Sequence, residues 1–161
     1  MGDPVKADVR RPSSVLFACD HNAVRSPMAE GIMKHYFGDT VYVDSVGIRS
    51  GELEPFAVAA MAEANIDISS HTPKRFDELH DTSFDVIVSL SPGAQHTAVE
   101  LTRTMACDLM YWQTLDATAV RGSREVRLDA YRQARDLLAA KILDVFGPDD
   151  GLGPLTITGI P

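Results

Sequence analysis

Short apolar runs alternate with amphipathic stretches through the middle of the chain. Residues 15–18 are apolar at every position, which is typical of a strand buried on both faces. Shorter apolar runs predict three more strands, at 41–43, 86–88 and 109–111. Apolar residues at steps of three and four predict the intervening helices, over 26–38, 55–65, 93–105 and 128–145. This alternation favours an α/β fold, with a parallel sheet between helices on both faces.

Polar and charged residues define the ends of these elements. Ser26 and Pro27 predict an N-cap and a first helical residue, and Gly38 is expected to end the same helix. Arginines on the last helix predict a solvated face: Arg124, Arg127, Arg132 and Arg135. Residues 1–13 and 147–161 are rich in polar residues, Pro or Gly, so we expect two tails around one domain at 14–146.

Composition narrows the class of protein. The 15 Lys and Arg residues against 23 Asp and Glu give a net charge of -8, which argues against a nucleic-acid partner. Two cysteines are too few for a disulfide framework or a four-thiolate zinc site, and they suit the reducing cytoplasm. The apolar runs are too short to cross a membrane. A cytoplasmic protein with no membrane partner is therefore expected.

Candidate chemistry follows the first predicted strand. Cys19 ends this strand, a short loop of Asp20, His21, Asn22, Ala23 and Val24 follows, and Arg25 and Ser26 then lead into a helix. Backbone N–H groups of such a loop and of a helix N-terminus bind oxyanions. An arginine adds a bidentate fork for two oxygens of a tetrahedral anion. The same positive field favours the nucleophilic thiolate of Cys19, to which the Ser26 hydroxyl can donate.

The spacing of these residues resembles a known family. The pattern Cys19-x-x-Asn22-x-x-Arg25-Ser26-x-x-Ala29-Glu30 is similar to the signature of low-molecular-weight protein tyrosine phosphatases and of the arsenate reductases that share their fold. The similarity extends through Asp44-Ser45-x-Gly47, Ile66-Asp67-Ile68-Ser69-x-His71, Asp85-Val86-Ile87 and Tyr111-Trp112. It covers residues 14–146 and implies four parallel strands in the order 2-1-3-4.

The resemblance implies roles for four residues outside the thiol chemistry. Asp116 lies where the family has its general acid, although Ala117 replaces the usual proline that follows it. Asp108 is a competing carboxylate, but it lies at the start of a predicted strand. Asn22 matches an asparagine that holds the loop in a left-handed conformation, and Ser45 and His71 match residues that brace it.

Two departures from the family pattern bear on the chemistry. His21 replaces a glycine in the loop, and Val24 replaces a second cysteine that can protect the nucleophile as a disulfide. Without that partner, Cys19 is expected to be over-oxidised readily. Cys107 has an apolar context and is expected to be an inert, buried thiol.

Three functions remain open at this stage. The first is hydrolysis of phosphotyrosine or another aryl phosphate, on a protein or a small molecule, through a cysteinyl-phosphate. It needs no metal or other cofactor because the loop supplies the charge. The second is arsenate reduction with an external thiol, since the stretch Ser89-Leu90-Ser91-Pro92 lacks the relay cysteines of the thioredoxin-coupled reductases. The third is a non-catalytic module that binds phosphate or a similar oxyanion.

Overall fold

Four strands and four helices alternate along the chain in the computed structural model, which describes residues 12–80 and 83–148. The elements in chain order are β1 (Ser14–Cys19), α1 (Arg25–Phe37), β2 (Tyr42–Gly47), α2 (Pro55–Glu63), β3 (Val86–Ser89), α3 (Pro92–Thr102), β4 (Asp108–Tyr111) and α4 (Arg124–Phe146). Short 3-10 turns occur at Phe76–Glu78 and Ala117–Ala119. Most of the two expected tails, 1–11 and 149–161, lies outside the described residues.

The strands form one parallel sheet in the order β2-β1-β3-β4, which confirms the predicted fold class and strand order. β1 is an inner strand with β2 and β3 as its neighbours. Its last residue, Cys19, pairs with Gly47 of β2, and Ala18 pairs with Ser89 of β3. The carboxyl ends of three strands therefore meet around Cys19, at the edge where open parallel sheets bind ligands.

Alternate residues of β1 face two different layers of helices. Val15, Phe17 and Cys19 lie in the larger core, which α1, α2 and α4 cover, whereas Leu16 and Ala18 face the smaller core under α3. Burial on both faces explains the unbroken apolar run of this strand. Within the described residues, no helix has the length and apolar character needed to cross a bilayer.

Several boundaries differ from the sequence prediction. β2 continues to Gly47 because the polar Asp44 and Ser45, which interrupt the apolar pattern, have hydrogen-bond partners inside the protein. The helix predicted to reach residue 65 ends at Glu63, where Asn65 takes a positive φ of 62°. α3 begins at Pro92 because the hydroxyl of Ser91 accepts a hydrogen bond from the N–H of Ala94.

Arg135 is buried, so the expectation of a solvated side chain is wrong at this position. The residue is 3% exposed, and Nη1 donates a hydrogen bond to the carbonyl oxygen of Ala60 at 2.7 Å. This carbonyl lies in the last turn of α2, where a helix leaves its carbonyls without intrahelical partners. Arg135 thus caps α2 from α4, and Nε donates to Asp136 at 2.8 Å.

We expect Arg135→Ala to lower the free energy of unfolding by about 2 kcal/mol, because the substitution leaves the buried carbonyl of Ala60 without its donor. Arg121, which is exposed, provides the control, and Arg121→Ala should change stability by less than about 0.5 kcal/mol. Urea denaturation of the two variants beside the wild type checks this. Equal stability of both variants would contradict a capping role for Arg135.

Candidate active site

The loop between β1 and α1 turns its carbonyl groups towards the segment that follows β2. The carbonyl oxygens of Cys19, Asp20, His21 and Ala23 accept hydrogen bonds of 2.9–3.1 Å from the backbone N–H groups of Ile48, Arg49, Gly51 and Glu54. Within a planar trans peptide, the C=O and the next N–H point in opposite directions. The N–H groups of Asp20, His21, Asn22 and Val24 therefore point away from residues 48–54 and into the loop, as an oxyanion site requires.

Cys19 lies at the base of this loop with its sulfur against the start of α1. The thiol is 2% exposed, and Sγ is 2.9 Å from the hydroxyl oxygen of Ser26. The backbone N–H of Ser26 also donates to Sγ, at 3.4 Å. The sulfur therefore has one N–H donor and one hydroxyl within hydrogen-bond distance, at the positive end of a helix.

Ser26 does not cap the helix, which corrects the predicted N-cap. The first helical residue is Arg25, two residues before the predicted Pro27, and the N-cap residue Val24 makes no side-chain capping bond. The Ser26 hydroxyl instead accepts from Asn22 Nδ2 at 2.8 Å, which leaves its hydrogen for Cys19 Sγ or, at 3.3 Å, for the carbonyl of Val46. The hydroxyl is thus held beside the thiol by the loop itself.

Arg25 reaches out of the first turn of α1 and is only 8% exposed. Nη2 is 3.3 Å from Asp20 Oδ2, and Nη1 donates to the carbonyl oxygen of Thr114 at 3.3 Å. Thr114 lies after β4, so this bond brings the segment between β4 and α4 next to the loop. The other N–H groups of the guanidinium are available to oxygens of a bound anion.

Asn22 holds the loop together from inside. It has a φ of 54° and is fully buried, and its amide nitrogen donates to the hydroxyls of Ser26 and Ser45 at 2.8 and 2.9 Å. Its Oδ1 accepts from the backbone N–H of Lys74 at 2.9 Å and lies 2.9 Å from His71 Nε2. Because Oδ1 is an acceptor, Nε2 carries the proton. Ser45 and His71 therefore both contact Asn22, the residue that they are expected to brace from the family resemblance.

Glu30 belongs to the same network, a contact that the sequence interpretation missed. Ser45 donates its hydroxyl to Glu30 Oε1 at 2.5 Å, and His71 Nδ1 is 3.7 Å from the same oxygen. Glu30 is 9% exposed and lies one helical turn after Ser26, on the face of α1 that is turned to β2. The sequence does contain an indication of this contact, because Glu30 follows Ser26 by four residues and so lies on the same face of the predicted helix.

The pKa of His71 is lowered from its ordinary value of 6.5, mainly by burial, although the charge of Glu30 opposes the shift. A folded pKa below the unfolded one means that the unfolded chain binds the proton more readily. Stability from neutral His71 is thus fully present above pH 6.5 and is lost as the pH falls through the folded pKa.

We expect this linkage to steepen the acid side of the stability profile. Urea denaturation from about pH 7.5 to 5 should show a smaller loss of stability for His71→Gln, which keeps an N–H donor for Asn22 but does not titrate. His96→Gln, the same substitution at an exposed histidine of α3, serves as the background control. Parallel profiles for wild type and His71→Gln would contradict this linkage.

Gly47 ends β2 directly beneath the loop. A Cβ at this position would lie 2.7 Å from the backbone nitrogen of Asn22 and 2.8 Å from the carbonyl carbon of His21. Backbone atoms cannot move aside as a flexible side chain can, so only glycine lets the loop rest on the strand. His21 is exposed at the rim, whereas Val24 is buried in the core.

Asp116 lies between β4 and α4, in the segment that contacts Arg25 through Thr114. Its Oδ1 accepts the N–H and the hydroxyl of Thr118 at 3.0 and 2.5 Å and so caps the 3-10 turn Ala117–Ala119. Across residues 12–80 and 83–148, no hydrogen bond or ion pair joins this carboxylate to Cys19 or Arg25. Oδ2 has no hydrogen-bond partner in that same part of the chain.

Cys107 is remote from Cys19. The sheet register aligns Asp108 with Val86 and Val86 with Val15. Cys107 therefore lies at the amino ends of the strands and Cys19 at the carboxyl ends, roughly 16 Å apart along the strand direction. A disulfide requires Cα atoms within about 7 Å. Burial, with the negative charge of Asp108, raises the pKa of the Cys107 thiol to about 11, and it stays protonated at neutral pH.

Because the two cysteines are far apart, a disulfide between them cannot protect Cys19 from oxidation. We expect mild peroxide to convert Cys19 to its sulfinic acid, because Val24 offers no sulfur and Cys107 is out of reach. Mass spectrometry of the two cysteine-containing peptides should show two added oxygen atoms on Cys19 and none on Cys107. Full recovery of a free Cys19 with a thiol reductant would contradict the expectation.

A family model described as low molecular weight phosphotyrosine protein phosphatase matches residues 14–146. The chain belongs to this family. Among its curated relatives, an arsenate reductase of Shouchella clausii is 34% identical over 134 residues, which cover 80% of this chain and 91% of the relative.

The solved structures that this chain resembles include an arsenate reductase and a protein tyrosine phosphatase. An arsenate reductase in a phosphate-binding state has a TM-score of 0.69 and 26% identity, covering 92% of this chain and 98% of that protein. The low molecular weight protein tyrosine phosphatase of T. tengcongensis has a TM-score of 0.67, at 24% identity over 81% of this chain and 95% of that protein. The second likeness concerns the fold alone.

Metal ligands do not cluster in the described residues: no group of three or more His, Cys, Asp or Glu side chains there is arranged to hold an ion. The positive charge at the loop comes from Arg25 and from the N-terminus of α1. In this family member, the chain's own groups thus provide a positively charged cradle around a thiol.

Proposed function

We propose that this family member hydrolyses phosphate monoesters of aryl alcohols, phosphotyrosine included. The observation that carries the proposal is the position of Cys19 Sγ, hydrogen-bonded by Ser26 at the base of a loop whose N–H groups point inward. Phosphate bound in this loop would have its phosphorus next to the sulfur. Arg25 and the loop N–H groups would hold its equatorial oxygens.

The reaction proceeds in two displacements. The Cys19 thiolate attacks phosphorus, the bond from phosphorus to the leaving oxygen breaks, and Asp116 donates its proton to that oxygen. Asp116, now a carboxylate, takes a proton from a water molecule that attacks the cysteinyl-phosphate. The S–P bond then breaks, and phosphate and the thiolate are released. The backbone N–H of Ser26 donates to the sulfur in the free site, and its hydroxyl, 2.9 Å from Sγ, can donate as well when the sulfur leaves.

The protein groups supply the charge stabilisation for this reaction without a metal ion, in our proposal. A reducing compartment such as the cytoplasm suits it, because Cys19 must stay a free thiol. Phosphate in the loop is supported by the phosphate-binding state of the structurally similar arsenate reductase.

Arsenate reduction is the second candidate, and identity of 30–34% to several named arsenate reductases favours it. Cys19 would attack arsenic(V) with loss of water. A small external thiol would then attack Sγ, so that the electron pair of the S–As bond reduces arsenic to arsenite and a mixed disulfide forms. A second external thiol would release Cys19. The distance to Cys107 argues against an internal relay.

Two parallel assays decide between these functions. Wild-type protein is supplied with an aryl phosphate, and separately with arsenate and a small thiol, and free phosphate and arsenite are measured. Hydrolysis without arsenite formation supports the first proposal, and arsenite formation without hydrolysis overturns it in favour of the second. Tight phosphate binding with neither activity would indicate the non-catalytic module.

A further inference from the structure

Asp20, the first residue of the loop, joins the loop to a different helix. Its Oδ1 accepts a hydrogen bond from the hydroxyl of Ser91 at 2.7 Å, and its Oδ2 lies 3.3 Å from Arg25 Nη2. The contact arises from the strand order, because β3 lies beside β1 and Ser91 follows β3 as Asp20 follows β1. One carboxylate therefore links the N-terminus of α3 to the guanidinium of Arg25.

The direction of these hydrogen bonds is determined by Ser91. Its hydroxyl oxygen accepts from the N–H of Ala94 at 3.2 Å, so its hydrogen is given to Asp20. Ser91 is 1% exposed and is the N-cap of α3, which makes it a rigid support next to the positive end of that helix. Gly93 keeps this place open, since a Cβ there would lie 2.7 Å from Ile48 Cδ1 and 3.4 Å from Asp20 Oδ1.

Arg25 is held on two different nitrogens. Asp20 accepts from Nη2 and the carbonyl of Thr114 accepts from Nη1, so the plane of the guanidinium is set by two separate elements. Three of its five N–H groups have no hydrogen-bond partner among the described residues and can bond to oxygens of a bound anion. We propose that Asp20 is a positioning residue, which orients Arg25 for the oxyanion through the chain Ala94 N–H, Ser91 hydroxyl, Asp20 carboxylate.

A simpler effect of the same carboxylate predicts the opposite result. A negative charge beside the loop repels a phosphate dianion, and its removal would then tighten binding. If Asp20 positions Arg25, its removal weakens binding, because the guanidinium loses one of its two anchors. The sign of the change separates the two effects.

Asp20→Asn tests the sign of the change in phosphate affinity, because the two side chains are nearly the same size. The amide oxygen can still accept from Ser91, but the ion pair with Arg25 is lost. We expect the dissociation constant of inorganic phosphate, measured by calorimetry, to rise about 10-fold, and kcat for an aryl phosphate to fall by about the same factor. Binding that is unchanged or tighter would overturn the proposal.

A pair of serine variants provides matched controls. Ser91 and Ser123 are both N-caps, of α3 and α4, and each accepts from the N–H three residues later at 3.2 Å. We expect Ser91→Ala and Ser123→Ala both to lower the melting temperature, by more at the buried Ser91, whereas only Ser91→Ala weakens phosphate binding, about 3-fold. Equal phosphate affinity of the two variants would count against the link.

A double substitution shows whether the effect passes through the guanidinium. Lysine lacks the planar fork whose separate nitrogens bond to Thr114 and Asp20, so Asp20→Asn should add almost nothing to Arg25→Lys. The same 10-fold loss in both backgrounds would overturn the proposal. The effect on kcat rests on the proposed function, but phosphate affinity does not. A wild type that binds phosphate without hydrolysing aryl phosphate would overturn the proposed function and leave the Asp20 comparison intact.

Discussion

Cys19→Ser is expected to abolish hydrolysis of an aryl phosphate, with a loss of at least about 10⁴-fold in kcat. Serine has nearly the same shape, but its hydroxyl does not ionise as a thiol does. The Ser26 hydroxyl, 2.9 Å from Sγ, already accepts a hydrogen bond from Asn22 and is too weak a base to activate a serine at position 19. Steady-state release of phosphate at saturating substrate measures the loss.

The fold and the oxyanion site should survive this substitution. The loop N–H groups are oriented by residues 48–54, and Arg25 by Asp20 and Thr114. Within the described residues, the hydrogen bonds of the sulfur go to Ser26 and to none of these. Calorimetric phosphate affinity of Cys19→Ser should therefore stay within about 3-fold of the wild type. Cys107→Ser is the matched control and should keep full activity. Rapid turnover by Cys19→Ser would show that the thiol is not the nucleophile.

Asp116→Asn should slow hydrolysis by about 10²- to 10⁴-fold, which is the usual contribution of a positioned general acid. Asparagine can still accept from Thr118 and cap the 3-10 turn, so the segment keeps its conformation while the transferable proton is lost. The loss should depend on the leaving group. It should be largest for phenyl phosphate and smaller for p-nitrophenyl phosphate, whose leaving oxygen needs protonation less.

Asp108 provides the comparison for this experiment. It begins β4 and is aligned with Val86 and Val15, so it lies at the amino ends of the strands, whereas Cys19 lies at the carboxyl end of β1. Asp108→Asn is therefore expected to leave kcat unchanged. Equal activity of Asp116→Asn and wild type on both substrates would remove Asp116 from the mechanism and direct attention to another proton donor.

The fold was predictable because its strongest signals are local. The apolar run before Cys19 and the Ser-Pro step after Arg25 indicate a strand, a loop and a helix, and this order alone suggests an oxyanion site. The strand order and the contacts of Asn22 with Ser45 and His71 came from the family resemblance. The structure agrees with the predicted strand order and with these contacts.

Other features of the site depend on partners that are distant in sequence. β2 looked short because Asp44 and Ser45 interrupt its apolar pattern, and their burial becomes favourable only with Lys74 and Glu30 beside them. Arg135 has the same sequence pattern as its solvated neighbours, because its partner at the end of α2, the carbonyl of Ala60, lies 75 residues away in the sequence. The predicted start of α1 was two residues too late, a difference that local propensity does not resolve.

The side-chain supports of the loop come from far along the chain. Asn22 bonds to Ser45 and His71, which are 23 and 49 residues away, Asp20 bonds to Ser91 across 71 residues, and Arg25 to Thr114 across 89. Contacts of such high sequence separation form late, because long stretches of chain must first be closed into loops. A partly folded chain therefore has no working oxyanion site. During refolding, activity should appear only with the complete sheet, so catalysis itself reports on whether the native topology has been reached.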